Sequence, residues 1–396
     1  MHDTVDIAIV GGGLAGLGLA LALARAPATA GLNVALLEAR APAPAIEPAS
    51  DAWDSRVYAV SPGSVGFLDS IGAWSEVDAA RVAPVYAMRI FGDEAAAQLN
   101  FTAYEASLPA LAHIVESGRV QHALWRALRE QPHVRVMCPA QCDALSFTLD
   151  HAELKLGNGS TVRAKLVVGA DGAQSWVRAQ AGIAVHTKPY AQSGVVANFA
   201  TTLAHEGTAW QWFRADGVLA LLPMPGNRVS MVWSTGDEHA QALLTLDAEG
   251  LAARVEEASG GVLGALNVVT PAAAFPLLSQ KVDPFVKPRL ALIGDAAHNV
   301  HPLAGQGVNL GLRDARELAA VLADRGAQRD CGDFSLLRRY ERARKEDVLT
   351  MSLATDGLQK LFSDNAVWVT RARNLGLRVV ESQRIIKRLL IRHAAA

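Results

Sequence analysis

Residues 5–38 read VDIAIVGGGLAGLGLALALARAPATAGLNVALLE. Val5–Val10 is a short apolar run rich in β-branched residues, and after the glycines Leu14–Arg25 is built mainly of Ala and Leu. The pattern predicts a buried strand, a tight turn and a helix. Asn33–Glu38 gives a second buried strand, which completes one βαβ unit of the dinucleotide-binding type. Gly11, Gly13 and Gly16 stand in GxGxxG spacing between strand and helix. Glycines there let the backbone turn sharply and approach a pyrophosphate, whose negative charge sits at the helix N-terminus. Glu38 ends the second strand about 20 residues further on, where a carboxylate takes a ribose hydroxyl.

The same stretch is apolar enough to imitate a membrane span, since residues 7–24 carry no charge. Five glycines interrupt it, Asp3 and Asp6 stand where a signal peptide needs basic residues, and no polar cleavage region follows. The reading is a soluble protein without a leader. At 396 residues, 51% hydrophobic and 19% charged, the chain has material for two or three domains with sizeable cores. A net charge of -2 with no long single-sign run offers nothing to nucleic acid. Cys138, Cys142 and Cys331 are odd in number and form no CxxC pair, which suits core thiols in a reducing cytoplasm.

Further along, residues 41–50 are rich in Pro and Ala and read as a loop, and a helix beginning near Arg119 leads to an apolar run at His133–Met137. Leu166–Val168 ends in the turn GADG. From about Ala184 to Pro284 the texture changes to alternating, aromatic-containing segments separated by DG and PGN turns, as in a mostly antiparallel sheet. Leu290–Ile293 then returns to a buried strand, and from about Leu318 the pattern is helical. The expected division is a discontinuous nucleotide-binding domain (1–80, 113–183 and 285–330), a second domain (81–112 and 184–284) and a C-terminal helical region (331–396).

Two later motifs add chemistry. Gly169–Arg178, GADGAQSWVR, places Asp171 in an Asp-Gly turn after a buried strand, which an ordinary capped strand-to-helix turn would also explain. Ala291–Ala315 reads ALIGDAAHNVHPLAGQGVNLGLRDA. Gly305 and Gly307 leave bare backbone beside a flat ligand, and Val308 and Asn309 begin a helix whose N-terminus favours negative charge. His298 and His301 are spaced like a metal pair, but no third ligand clusters with them, so no metal is expected.

Together with the first turn, these motifs resemble the FAD-dependent aromatic hydroxylases of the ubiquinone-biosynthesis branch, in the para-hydroxybenzoate hydroxylase class. The resemblance runs from Val5 through Tyr340–Val348 and Thr355–Phe362. It implies an α/β fold: a Rossmann-type FAD-binding domain with an inserted, mostly antiparallel substrate domain and C-terminal helices. It implies that Gly294 and Asp295 bind the FAD ribityl chain and that Asp171 lies near the pyrophosphate. Asp54-Ser55-Arg56 looks like the family's DxR stretch, with Arg56 near the cofactor, and Ile114–Leu124 resembles a flavin-contacting helix with Glu116 and Gln121 as polar contacts. Trp212 departs from the arginine of the family pattern.

With a single GxGxxG, NAD(P)H is a transient co-substrate of the bound FAD. The implied reaction transfers oxygen from a flavin C4a-hydroperoxide, formed with O2, to the ring of a polyprenyl phenol. Pro302 is the expected ring-facing wall, Gln306 a polar contact and Asn309 part of the helix start at the flavin. A hydroxylase of small soluble phenols and a non-catalytic flavin subunit of a biosynthetic complex are the alternatives. Between Ala366 and Ala396 basic residues dominate, and at helical spacing Arg384, Lys387, Arg388 and Arg392 share one face opposite Ile385, Ile386, Leu389 and Leu390, with Ile391 the exception. Such a helix suits peripheral contact with the inner face of a membrane, a partner protein or the chain's own core.

Overall fold

The computed structural model describes residues 2–42, 52–92, 98–214, 216–299, 307–326, 328–363, 381 and 383–395. The apolar opening run divides as its glycines dictate into the strand His2–Val10, a turn, and the helix Leu14–Arg25. His2–Val10 lies between Thr161–Gly169 and Val34–Leu37, with Ile7 opposite both Leu166 and Val34. Leu290–Leu292 and Val134–Met137 extend this parallel core of an eight-stranded sheet. Ile7, Ile9, Leu36, Leu166 and Leu292 are fully buried, which is why these strands read as unbroken apolar runs.

A second, nine-stranded sheet is mostly antiparallel. Its centre is Val185–Thr201, Arg228–Gly236, Gly217–Met224 and Thr208–Arg214, and Ala87–Phe91 joins it in parallel through Thr208↔Ala87. One face buries Val195, Phe199, Leu221, Met231 and Trp233 against the helices Asp237–Thr245 and Ala248–Ser259. These helices interrupt the stretch whose sequence texture suggests sheet. Their signals are local: Asp247 accepts from the Gly250 amide, Leu251, Val255 and Ala258 repeat on the buried side, and Gly260 ends the second helix at φ +65°.

A small third sheet, Val57–Val60, Ala112–Glu116 and Val82–Val85, lies between the two. Trp53 is held there between the guanidinium groups of Arg81 at 3.5 Å and Arg228 at 5.0 Å, and Asn198 Nδ2 donates to the Asp54 carbonyl at 2.8 Å. Beneath it Glu116 accepts from Arg81 Nε and Arg119 Nε, both at 2.9 Å, and from the Asp54 amide at 2.8 Å.

The C-terminal part forms the helices Phe334–Ser363 and Arg384–Ala395. The expected basic face of the last helix is corrected. Lys387 is only 4% exposed, and its Nζ pairs with Glu105 at 3.0 Å and Glu381 at 3.3 Å, while Ile391 and Ala395 share its inward stripe. Arg388 and Arg392 face solvent. Of its two partners Glu105 lies 282 residues away, so helical spacing alone could not show that pairing. No helix among the described residues is long and apolar enough to cross a membrane.

Removing one member of a buried ion cluster strands the others. Glu116→Ala should lower unfolding free energy by about 3–5 kcal/mol, read as a lower urea midpoint at unchanged slope; a change below about 1 kcal/mol would contradict this account of the cluster.

Candidate active site

At the carboxyl ends of the parallel strands, where chain direction away from His2–Val10 diverges, a cleft of about 730 Å³ opens. Gly11–Gly13, Glu38, Gln121, Trp125, Asp171 and Gly172 are among its walls. The glycines differ in what requires them. Gly11 has φ +112°, and a Cβ there would collide with the Ala170 carbonyl. A Cβ on Gly16 would collide with the Gly11 carbonyl, so the helix can start against the strand end only without one. Gly13 is different: a Cβ would meet nothing within 4 Å. Its bare backbone faces open space at the start of the helix Leu14–Arg25, the electrostatics a diphosphate requires.

Glu38 stands at the end of the second strand and lines the cleft, its Oε2 accepting from the Gly12 amide at 2.5 Å and its Oε1 from the Arg40 amide at 3.0 Å. Trp125, unremarked in the sequence, packs its ring against Gly12, and its buried Nε1 has no hydrogen-bond partner among the described residues. Gln121 Nε2 reaches the Gly12 carbonyl at 3.5 Å. Asp171 caps the following turn, accepting from Ser175 Oγ at 2.5 Å and the Val177 amide at 2.9 Å, while still lining the cleft. Cys142 also lines it; burial, with Asp171 and Asp143 adding, pushes its thiol up to about 12, so it is a neutral wall. Cys331 is buried and Cys138 half-buried.

Asp295 follows Gly294, which takes φ +60° in a short 3-10 turn after Leu290–Leu292. Its side chain is open to solvent at one side while protein surrounds it elsewhere. That withdrawal from water raises its pKa and Asp314 adds to the rise, against His298 and Arg56. Arg56 is exposed, with its guanidinium 5.5 Å from the Tyr58 ring and 5.8 Å from that of Phe275 on the second sheet. It therefore stands at the seam between the sheets.

Two expected contacts have other occupations. Both carboxylate oxygens of Glu116 are committed to Arg81, Arg119 and Asp54, so its side chain is a structural anchor rather than a cofactor contact. The buried Asn309 amide accepts from the Ser61 amide at 2.9 Å and donates to the Ala59 carbonyl at 2.9 Å. It ties the helix Gly307–Ala323 to the third sheet. His298 Nε2 is committed to Asp314 at 2.6 Å. His301, Pro302, Gly305 and Gln306 lie outside the described residues.

The family described as FAD binding domain matches residues 4–351. The ubiquinone hydroxylase UbiL of Rhodospirillum rubrum is 39% identical over 98% of this chain and 89% of its own length. The 3-demethoxyubiquinol 3-hydroxylase of Escherichia coli is 38% identical over 99% of both chains. In fold, the crystal structure of p-nitrophenol 4-monooxygenase PnpA from Pseudomonas putida superposes with a TM-score of 0.77 over 100% of this chain and 99% of that one, at 19% identity. The open backbone at Gly13, the carboxylate at the second strand's end and the orphaned indole N–H suit a dinucleotide, and the chain belongs to the FAD binding domain family, with FAD as its cofactor.

Proposed function

We propose that this flavin-dependent monooxygenase hydroxylates the aromatic ring of a polyprenyl phenol in ubiquinone biosynthesis, with electrons from NAD(P)H and oxygen from O2. The relatives act on ubiquinone and demethoxyubiquinol by name, and one feature of this chain carries the finer reading. On the side of the second sheet away from its helices, Ala273, Val196, Val232, Ala220, Gln211 and Ile90 are cross-strand neighbours in one row. All but Gln211 are apolar, and the row lies beside Phe275, which Arg56 links to Tyr58. An apolar strip that begins at the seam marked by Phe275 and Arg56 suits an isoprenoid tail; a small phenol would need only the end of it.

FAD supplies the electron transfer and oxygen activation. The chain's residues bind, orient and exclude water. Gly13 leaves room for the pyrophosphate, Glu38 takes the ribose and Asp295 takes a ribityl hydroxyl, with Gly294 and Gly11 shaping the turns and Arg56, Gln121 and Asp171 at the margins. The backbone N–H groups where Gly307–Ala323 begins favour negative charge on the reduced ring system. The second sheet covers the reacting ring and keeps water from it. Burial holds Tyr58 as a neutral phenol, a donor at the seam. One oxygen atom is inserted into a ring C–H bond to give the hydroxyl, and the other leaves as water, which takes up the two electrons and hydrogen of the NAD(P)H hydride and one proton from solvent.

A substrate with such a tail resides in lipid. Beside the last helix, Tyr104 is 92% exposed and Leu390 48%, with Arg388 and Arg392 also outward, a combination that suits an anionic membrane surface.

Gly13→Asp should fold, because the structure leaves space for a side chain there, yet purify colourless; a yellow Gly13→Asp protein would remove this turn from the cofactor site. With a demethoxyubiquinol-type phenol, label from isotopically heavy O2 should enter the product as a single atom, and label arriving from water instead would exclude the proposed oxygen transfer. Reversing Arg388 and Arg392 to Glu should abolish salt-sensitive cosedimentation with anionic liposomes at full FAD content, since Lys387 and Ile391 still hold the helix. Undiminished cosedimentation would place membrane contact elsewhere.

A further inference from the structure

The segment Leu292–Asn299 carries the Gly294–Asp295 turn and then enters the second sheet as the strand His298–Asn299, paired to Ala273–Val282 through Gln280↔Asn299. Beyond its backbone pairing it is held by side chains from elsewhere. Tyr340 Oη donates to the Leu292 carbonyl at 3.0 Å, and Arg178 Nη1 donates to the Ala296 carbonyl at 2.9 Å. The central holder is Asp314, fully buried in the helix Gly307–Ala323. Its Oδ2 accepts from the Gly294 amide at 2.8 Å and from His298 Nε2 at 2.6 Å, and its Oδ1 accepts from Arg344 Nε at 2.6 Å.

Burial opposes charge on both His298 and Asp314, but their mutual attraction outweighs it. The imidazole is held above its ordinary pKa and, with Arg344 adding, the carboxyl below its own. Arg344 is steadied in turn by Asp347 at 2.6 Å. A carboxylate with no exposure and three donors cannot itself touch a ligand, so its effect on one must pass through what it holds.

The geometry points to Asp314 as a positioning residue for FAD: with one carboxylate it fixes the Gly294 amide of the turn that carries Asp295 and the imidazole of the strand that joins this turn to the substrate sheet. Cofactor and substrate sheet are thereby registered to each other by a buried group that holds a strand of the sheet and does not itself touch the cofactor. The inference rests on the proposed role of Asp295, and the test separates the two.

Three proteins are stripped of flavin and retitrated with FAD by quenching of flavin fluorescence: Asp295→Ala, Asp314→Asn and Asp314→Ala. Visible circular dichroism of the bound flavin reports how it is seated. Asp314→Asn, which keeps one acceptor for Gly294, should weaken FAD binding about tenfold, and Asp314→Ala about a hundredfold, both with altered flavin dichroism and native far-UV spectra. That graded rescue is not expected of a merely structural residue. Wild-type affinity and dichroism in a folded Asp314→Ala, beside weakened binding in Asp295→Ala, would overturn this inference alone. Wild-type affinity in Asp295→Ala would remove the reading beneath it. If neither Asp314 variant folds, hydrogen exchange on the flavin-free wild type decides: the peptide spanning residues 292–299 should be as protected as the helix 309–318, and free exchange there would overturn the inference.

Discussion

Everything in the cleft depends on the absence of two Cβ atoms. Gly16 lets the first helix begin against the Gly11 carbonyl, and Gly11, at φ +112°, lets the strand end pass the Ala170 carbonyl. Bring a side chain to either place and the helix must move away from the strand, taking with it both the open backbone at Gly13 and the Gly12 amide that orients Glu38. The close approach is thus a property of backbone meeting backbone, and the side chains around it are arranged on a frame already fixed.

Around that frame, polar residues divide into those facing the cleft and those facing one another. Glu116 between two arginines, Asn309 between the Ala59 carbonyl and Ser61 amide, and Asp314 between His298 and Arg344 all have both polar side-chain atoms bonded to protein. In a low-dielectric interior such groups are stable only when fully paired, so each fixes its neighbours in one arrangement. Asp295, Arg56 and Glu38 keep open sides. The contrast is physical: a group bonded on every side can only position its neighbours, and a group with an open side has capacity left for a ligand.

Much of this was legible in the sequence because it is local. The helix Leu14–Arg25 and the glycine turn follow from periodicity and spacing within one short stretch, and the motif at residues 291–315 marks the turn at Gly294. What escaped is non-local or directional. Glu116 and Asn309 stand out as polar residues in the right motifs, but a sequence does not say which way an oxygen points. Lys387 sits among arginines on a helical wheel, and only the folded chain brings Glu105 to it. Asp314 lies within the NLGLRDA stretch, a charge on an otherwise buried stripe, which is the signal that could have identified it. The helices of residues 237–259 were missed although cap and periodicity were present, because the surrounding alternation dominated.

The order in which the strands are laid down has a consequence for biogenesis. In the first sheet the end of Thr161–Gly169 is flanked by Leu290–Leu292, and in the second Ala87–Phe91 waits for Thr208–Arg214 while the far edge is closed by His298–Asn299. During synthesis the first sheet lacks its last strand until residue 292 has left the ribosome and the second until residue 299, and pairings of such sequence separation form slowly. Until then Val167–Gly169 and the edge of Ala273–Val282 at Gln280 and Lys281 are open, the surfaces on which strands of different molecules pair. A product truncated before residue 290 keeps the glycine turn at residues 11–16 but exposes both edges, so aggregation is the failure expected of it.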